Sequence, residues 1–316
     1  MKKFVVAFTL VMVVLMAAAG IVSAQESKGI IYVITASYAT PMFETEARIA
    51  KEVAEELGYT VKAVSHDDDL TVQAQIIDTA IADGAVGILL DNAGAEGSIA
   101  AVEKAKEAGI PTVAIDRELA KDGVAIAQFV SNNYQGAAAV AEVFVEAMEE
   151  EGEYAELLGK ETETACTVRS QGFHDVIDQY EDLVMVAVET ANWEQTTAYE
   201  KMETMLQAHP NIKGAICGND PMALGAAAAF KAAGIEGAII ISVDGSDEAR
   251  DAILAGDMTA TAMQQAAYQA ELGIRTIDTY LQTGETGLDG EKQLVDCIAI
   301  TAENAHNLAQ FVFTED

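Results

Sequence analysis

Short apolar runs alternate with amphipathic stretches of helical period along almost the whole chain, and that rhythm restricts the fold more than any single motif. The runs at 29–35, 60–65, 86–90 and 112–115 are nearly unbroken in apolar character, as strands are when both faces of a parallel sheet are covered. Between them lie helices. In 44–57 the residues Ile49, Val53 and Leu57 fall on one face, and Gly58 stands where a helix end needs a residue free to turn left-handed. The segment 98–108 repeats the pattern until Gly109-Ile110-Pro111 stops it. The rhythm restarts after Ser131, with helices at 135–149, 168–179, 196–208, 221–233 and 247–254 alternating with strands at 154–158, 183–189, 214–217 and 238–242. Two such series predict an α/β protein of two doubly wound lobes with parallel sheets, joined by short hinge crossings near Val130-Ser131 and Gln264-Gln265. Loops then gather at the carboxyl ends of the strands, and the cleft between lobes is the natural ligand site. The division expected is 28–130 with 265–292 for the N-terminal lobe and 131–264 with 293–316 for the C-terminal lobe. The tail from 291, with its apolar run at 294–300, is expected to add one strand and a terminal helix to one lobe.

Residues 1–24 read as a cleavable signal peptide. Lys2 and Lys3 precede an apolar run at 4–19, and a small-residue stretch ends in Val22-Ser23-Ala24 before Gln25. The run is shorter than the roughly 20 apolar residues of a membrane span and lacks a basic stop-transfer flank. The mature protein is therefore expected outside the cytoplasm, periplasmic or extracellular, and about 290 of its 316 residues would remain. That length suits two domains. Acidic residues outnumber basic ones, 51 against 18, which excludes a nucleic-acid partner because phosphate binding needs a concentrated basic surface. The runs Asp67-Asp68-Asp69 and Glu149-Glu150-Glu151 read as solvated surface. Three cysteines, Cys166, Cys217 and Cys297, leave at least one unpaired and read as buried thiols, with one disulfide of unspecified pairing as the alternative. His66, His174, His209 and His306 have no metal-ligand spacing, so neither metal nor cofactor is expected.

No GxSxG elbow, phosphate-cradling GxxxxGK[ST], GxGxxG or HExxH occurs. What the chain offers lies at predicted strand ends: Asp116-Arg117, Asn219-Asp220 and Asp244-Gly245. These supply acceptors and forked donors without a nucleophile, which suits recognition of hydroxyl groups better than bond breaking. Phe43 and Trp193 follow predicted strands and can present flat faces to the C–H surface of a sugar, although Trp193 alone could equally fill a core and Asp116-Arg117 alone could equally be a structural ion pair. A secreted glycoside hydrolase is the competing class. It needs two carboxylates across a glycosidic oxygen, and Asp116 and Asp244 are its candidates.

The stretches AGIPTVAIDRE, AHPNIKGAICGNDPMALGAAAAFKAAG and IIISVDGSDEARDAILAGDMTATAMQQ, in this order, resemble the ribose-binding branch of the type I periplasmic sugar-binding proteins. The resemblance extends from Gly29 to about Gly284. It implies a two-lobed clamp that closes on a small neutral sugar or polyol and delivers it to the membrane permease of an ATP-binding-cassette importer, with a chemoreceptor or sensor kinase as a further possible partner. It also implies a monomer without catalytic activity. Carried over by position, Arg117 donates to adjacent sugar oxygens and Asp116 accepts from hydroxyls. Arg169, four residues before Phe173, is the second fork donor, and Trp193 stacks on the ring; Asn219, Asp244 and Gln264 complete the polar set, with which Asn132 is counted. Phe43 matches one of two consecutive aromatics, but Met42 replaces the other, Thr40 stands where the ribose pattern has Asn, and Ala36 where it has Ser. These departures point away from ribose toward a pentose of different stereochemistry or a short polyol.

Overall fold

The computed structural model describes residues 27–314, so the signal-peptide assignment lies outside the described residues. Two six-stranded sheets organise the chain. The first runs in the order β11-β5-β4-β3-β1-β2, from β1 (Ile30–Thr35), β2 (Thr60–Ser65), β3 (Gly87–Leu90), β4 (Thr112–Asp116), β5 (Ala127–Ser131) and β11 (Lys292–Val295). The second runs in the order β12-β10-β9-β8-β6-β7, from β6 (Gly152–Leu158), β7 (Leu183–Thr190), β8 (Ile212–Cys217), β9 (Ile239–Asp244), β10 (Ala260–Met263) and β12 (Ile298–Thr301). Every pairing within them is parallel except that of β10 with β12.

Helices cover both faces of each sheet, which is why the strands carry apolar side chains on both sides. In the first sheet Ile31, Val33, Val113 and Ile115 face α1 (Pro41–Glu56) and the later helix at Ala266–Thr283, whereas Tyr32, Ile34, Ile88 and Leu90 face α2 (Leu70–Ala82) and α3 (Ile99–Glu107). In the second sheet Tyr154, Ile216, Ile241 and Val243 pack on α4 (Asn133–Ala147) and α5 (Thr164–Ile177). Ala155, Leu157, Ala215 and Cys217 pack on α6 (Gln195–Ala208), α7 (Asp220–Ala232) and α8 (Asp247–Ala255). The helix Ala266–Thr283, α9, closes the helical series and ends at left-handed Gly284.

The α1 face read from sequence does pack on the core, Val53 fully and Ile49 and Leu57 in part, and the buried residues of the helix also include Met42, Thr45, Glu46, Ala47, Ala50 and Ala54. Several expectations need correction. The acidic triplet at 67–69 is more than solvated surface. Asp69 caps α2 by accepting from the amides of Thr71 and Val72, and Asp67 and Asp68 take left-handed backbone conformations that turn Asp68 toward Arg117. The apolar run at 294–300 is two strands in two sheets, since Asp296 and Cys297 leave the ladder between β11 and β12. Residues 293–295, grouped on sequence with the second lobe, thus pair with β5 of the first sheet. Instead of a terminal helix, a 3-10 turn (Ala305–Asn307) and a small hairpin, β13 (Leu308–Ala309) with β14 (Val312–Phe313), complete the described tail.

The chain passes from the first sheet to the second after Ser131, returns after Met263, and crosses a third time at Asp296 and Cys297. These crossings are bonded to one another. Asn132 Nδ2 donates to Asp296 Oδ1 (2.8 Å), Gln265 Nε2 to Asp296 O (2.9 Å), and Gln135 exchanges two hydrogen bonds with the Cys297 backbone. All three cysteines are buried free thiols.

Candidate ligand-binding site

The polar strand ends predicted from sequence converge where the carboxyl ends of the two sheets face each other. Three of the site residues hold backbone conformations that non-glycine residues rarely adopt: Asp116 (φ 59°), Trp193 (φ 68°) and Asp244 (φ 143°). Such strain is of order 1–3 kcal/mol per residue and persists only where surrounding structure enforces it.

On the first-sheet side, Arg117 is the hub. Its Nη1 donates to Asp68 Oδ1 (2.6 Å) and Asn92 O (3.2 Å), its Nε lies 3.7 Å from Asp91 Oδ1 and 3.8 Å from Asp116 Oδ2, and its guanidinium sits 5.3 Å from the Phe43 ring centre. Asn92, absent from the sequence-based set, braces this loop by donating to the carbonyls of Arg117 (2.6 Å) and Glu118. The Asp116 amide donates to Gln269 Oε1, and Gln269 Nε2 donates to Ser131 Oγ, so α9 fixes the end of β4.

On the second-sheet side, buried Arg169 donates from Nε to Asn133 Oδ1 (2.7 Å) and from Nη1 to Gly218 O (2.8 Å) and Asp244 Oδ1 (3.1 Å). Gln264 Nε2 donates to the same Asp244 oxygen (2.9 Å) and lies 3.9 Å from Met42 Sδ. Asn219 caps α7 by accepting from the Met222 amide and donates to Trp193 O, which leaves one amide proton for another partner. The Trp193 ring packs on Gly159 and Gly218, where an added Cβ would stand 2.1 and 2.9 Å from ring atoms. Its Nε1 donates to Glu163 Oε2 (2.9 Å), and the Arg169 guanidinium lies 5.6 Å from its centre.

Asn132 does not join this set. It caps α4 and binds Asp296, and its neighbour Asn133 is the residue that reaches Arg169. Thr40 is exposed at the start of α1 and makes no side-chain cap, while Met42 is buried against Ala266 and Phe311.

Burial dominates the electrostatics. It raises the Asp116 carboxyl against the opposing charges of Arg117 and then Arg169, so the two halves of the set lie within electrostatic reach of each other. Asp244 is pushed up to about 7 by burial, against Arg169. Glu46 and Asp91 are raised well above the carboxylate range, first by burial; Asp91 and Asp116 push Glu46 further, while Arg117 and the Ala36 backbone pull Asp91 back. Asp220 is raised by burial against its donors. Each of the five carboxyls gives up its proton at higher pH in the folded chain than in the unfolded one, so stability falls as pH rises out of the ordinary carboxylate range, Asp244 contributing up to about 7. His174, raised to about 9 by its hydrogen bond to Glu156, adds the same sign from about pH 6.5 upward. Buried His66, lowered by burial, opposes this only below about pH 6.5. Calorimetric melting of the sugar-free protein is expected at a higher temperature near pH 5.5 than near pH 8.5; a flat or inverted dependence would contradict the burial of these groups.

Trp193 is the chain's single tryptophan. If its face meets the ligand, sugar addition changes its fluorescence saturably, and Trp193→Ala loses roughly 1–3 kcal/mol of binding while Phe keeps most of it. Fluorescence indifferent to a sugar that calorimetry shows to bind would place the ring outside the contact.

Parallel sheets of this order, three crossings and a polar set facing itself across them define a two-lobed solute-binding architecture. The chain belongs to the periplasmic binding protein family, whose domain model matches residues 31–286. It is 55% identical over 284 residues to the D-apiose import binding protein of Actinobacillus succinogenes, covering 90% of this chain and 91% of that one. It is 49% identical to the D-apiose import binding protein of Paraburkholderia graminis, covering 90% and 91%. Among solved structures, an ABC transporter periplasmic solute-binding protein from Actinobacillus succinogenes with bound D-allose superposes with a TM-score of 0.82 at 24% identity, covering 89% of this chain and 100% of that one. Among the described residues no group of His, Cys, Asp and Glu side chains could hold a metal ion, and no helix is long and apolar enough to cross a membrane.

Proposed function

We propose that this protein is the exported solute-binding component of an ABC importer and that its ligand is D-apiose or a closely similar branched pentose. The observation that carries the reading is the identity of 55% and 49%, sustained over nine-tenths of the chain, with two D-apiose import binding proteins. The site supports it. Arg117, Asp116 and Phe43 on one side and Arg169, Asp244, Asn219, Gln264 and Trp193 on the other offer donors, acceptors and ring faces to a neutral polyhydroxy compound. In this reading 28–131 with 265–295 and 132–264 with 296–314 are the two lobes, the first 24 residues direct export, and closure presents the loaded clamp to the permease. Asp116 and Asp244 serve as acceptors, and the sugar leaves unchanged. A thermal-shift screen over D-apiose, D-ribose, other pentoses, hexoses and tetritols tests it, since a specific ligand raises the melting temperature by mass action. D-apiose is expected to give the largest shift and to be recovered intact by chromatography. A larger shift with D-ribose or a tetritol would overturn the ligand assignment, and turnover would overturn the binding role.

A further inference from the structure

The small hairpin that ends the described chain is rooted in one half of the molecule and reaches into the other. Its root lies with the second sheet. Leu308 is buried in the core that also holds Ala249 and Ile253 of α8, Arg250 Nη1 donates to Leu308 O (3.0 Å), and the Gln310 amide donates to Asp247 Oδ1 (2.8 Å). Its tip turns toward the first sheet's helices. Phe311 is buried together with Met42 of α1 and Ala266 at the start of α9, and Phe43 packs against that group. Beside the ring, Gln310 Oε1 accepts from Arg48 Nη2 of α1 at 3.5 Å. The turn itself is an unfavourable one for these residues. Gln310 (φ 51°) and Phe311 (φ 58°) form a two-residue hairpin loop with both φ positive, a loop that Asn-Gly fills most readily because a bulky side chain is strained there. Such strain persists only where the surroundings enforce it, and here the enforcing contact is the ring's burial on α1.

What Phe311 touches leads on to the polar set. Met42 Sδ lies 3.9 Å from Gln264 Nε2, and Gln264 donates to the Asp244 oxygen that Arg169 also meets. Phe43 lies against Arg117, its ring centre 5.3 Å from the guanidinium. A methionine side chain is unbranched and flexible, so where it rests depends on what it packs against. We propose that Phe311 is a positioning residue for sugar binding: carried on a strained turn of the second lobe's tail, it props Met42 and Phe43 and so steadies Gln264 and Asp244 on one side and Arg117 on the other. The proposal rests on the sugar-binding reading above and gives the ring no contact with the sugar.

Calorimetric titration of the full mature chain with D-apiose tests it in wild type, Phe311→Gly, Phe311→Leu, Met42→Ala and the double variant Met42→Ala/Phe311→Gly, each also melted without sugar. Val312→Ala, at a half-exposed neighbour on the same hairpin, is the control. Glycine suits the turn and removes the ring, so Phe311→Gly is expected to weaken D-apiose about fivefold or more at full stoichiometry. Leucine refills the apolar space and is expected to recover most of that loss, and Val312→Ala to bind as wild type does. The double variant is expected to bind little more weakly than the weaker single variant, because the ring acts through the methionine. Phe311→Gly affinity within about twofold of wild type, losses that multiply in the double variant, or leucine no better than glycine would each overturn the proposal. So would a loss of stoichiometry at unchanged affinity, which is what a merely structural role produces. Wild type that binds no sugar would overturn the sugar-binding reading itself; wild type that prefers D-ribose would overturn only the ligand assignment, and the same variants are then judged on D-ribose.

Discussion

Alanine in place of Arg169 is expected to lower D-apiose affinity by roughly 2–4 kcal/mol, since a buried forked donor is lost and the sugar oxygens it would meet have no substitute. The same change leaves Asp244 buried beside Gln264 with its neutralising charge gone, so the sugar-free protein loses roughly 3–5 kcal/mol of stability as well. Lysine does not rescue, because one ammonium cannot bond Asn133, Gly218 and Asp244 from a planar fork. Arg117→Ala is expected to resemble it in affinity but less in stability, because Arg117 is a third exposed and its pairing with Asp68 is wetter. Calorimetry and urea denaturation check both halves. Near-native affinity in the alanine variants would remove these arginines from the site.

The largest effect on folding without a direct role in binding is expected at Asp220. Its carboxylate joins four elements: it begins α7, accepts from Ser242 on β9 and Thr261 on β10, and accepts twice from Ser246, which itself caps α8. Asp220→Ala takes the acceptor from three hydroxyls and an amide inside the second lobe and removes a negative charge from a helix N-terminus. Urea denaturation is expected to show a loss of about 3–5 kcal/mol. A loss below about 1 kcal/mol would mean that water replaces the carboxylate, which the burial of the site contradicts.

The sheets were legible because parallel strands covered on both faces write themselves as apolar runs, and the polar groups ending β4, β8 and β9 stood out against them. Elements whose sequence is less one-sided were not: Ala127–Ser131 carries Gln128 and Ser131, and Ala260–Met263 alternates Ala and Thr, so neither stands out as a strand. At 294–300 the apolar character is continuous, but a crossing between sheets is a tertiary event that leaves no break in hydropathy. Asp116, Arg117, Arg169 and Asp244 were identifiable as polar residues at strand ends or by family position, and the structure gathers them. The burial of Glu46 was hidden because a carboxyl on an amphipathic helix reads as solvent-facing. The one available signal was its place in the stripe of Met42, Ala50 and Val53 rather than opposite it. The burial of Asp91 carried no signal at all, since an Asp-Asn pair after an apolar run is also how an ordinary turn begins.

The side-chain bonds that lace Asn132, Gln135 and Gln265 to Asp296 and Cys297 also bear on mechanics. Three crossing segments tied side by side act as a leaf spring: they bend together more readily than they twist or slide past one another. A relative motion of the two sheets is thereby channelled into bending about these segments, because twisting would have to break several of these bonds at once.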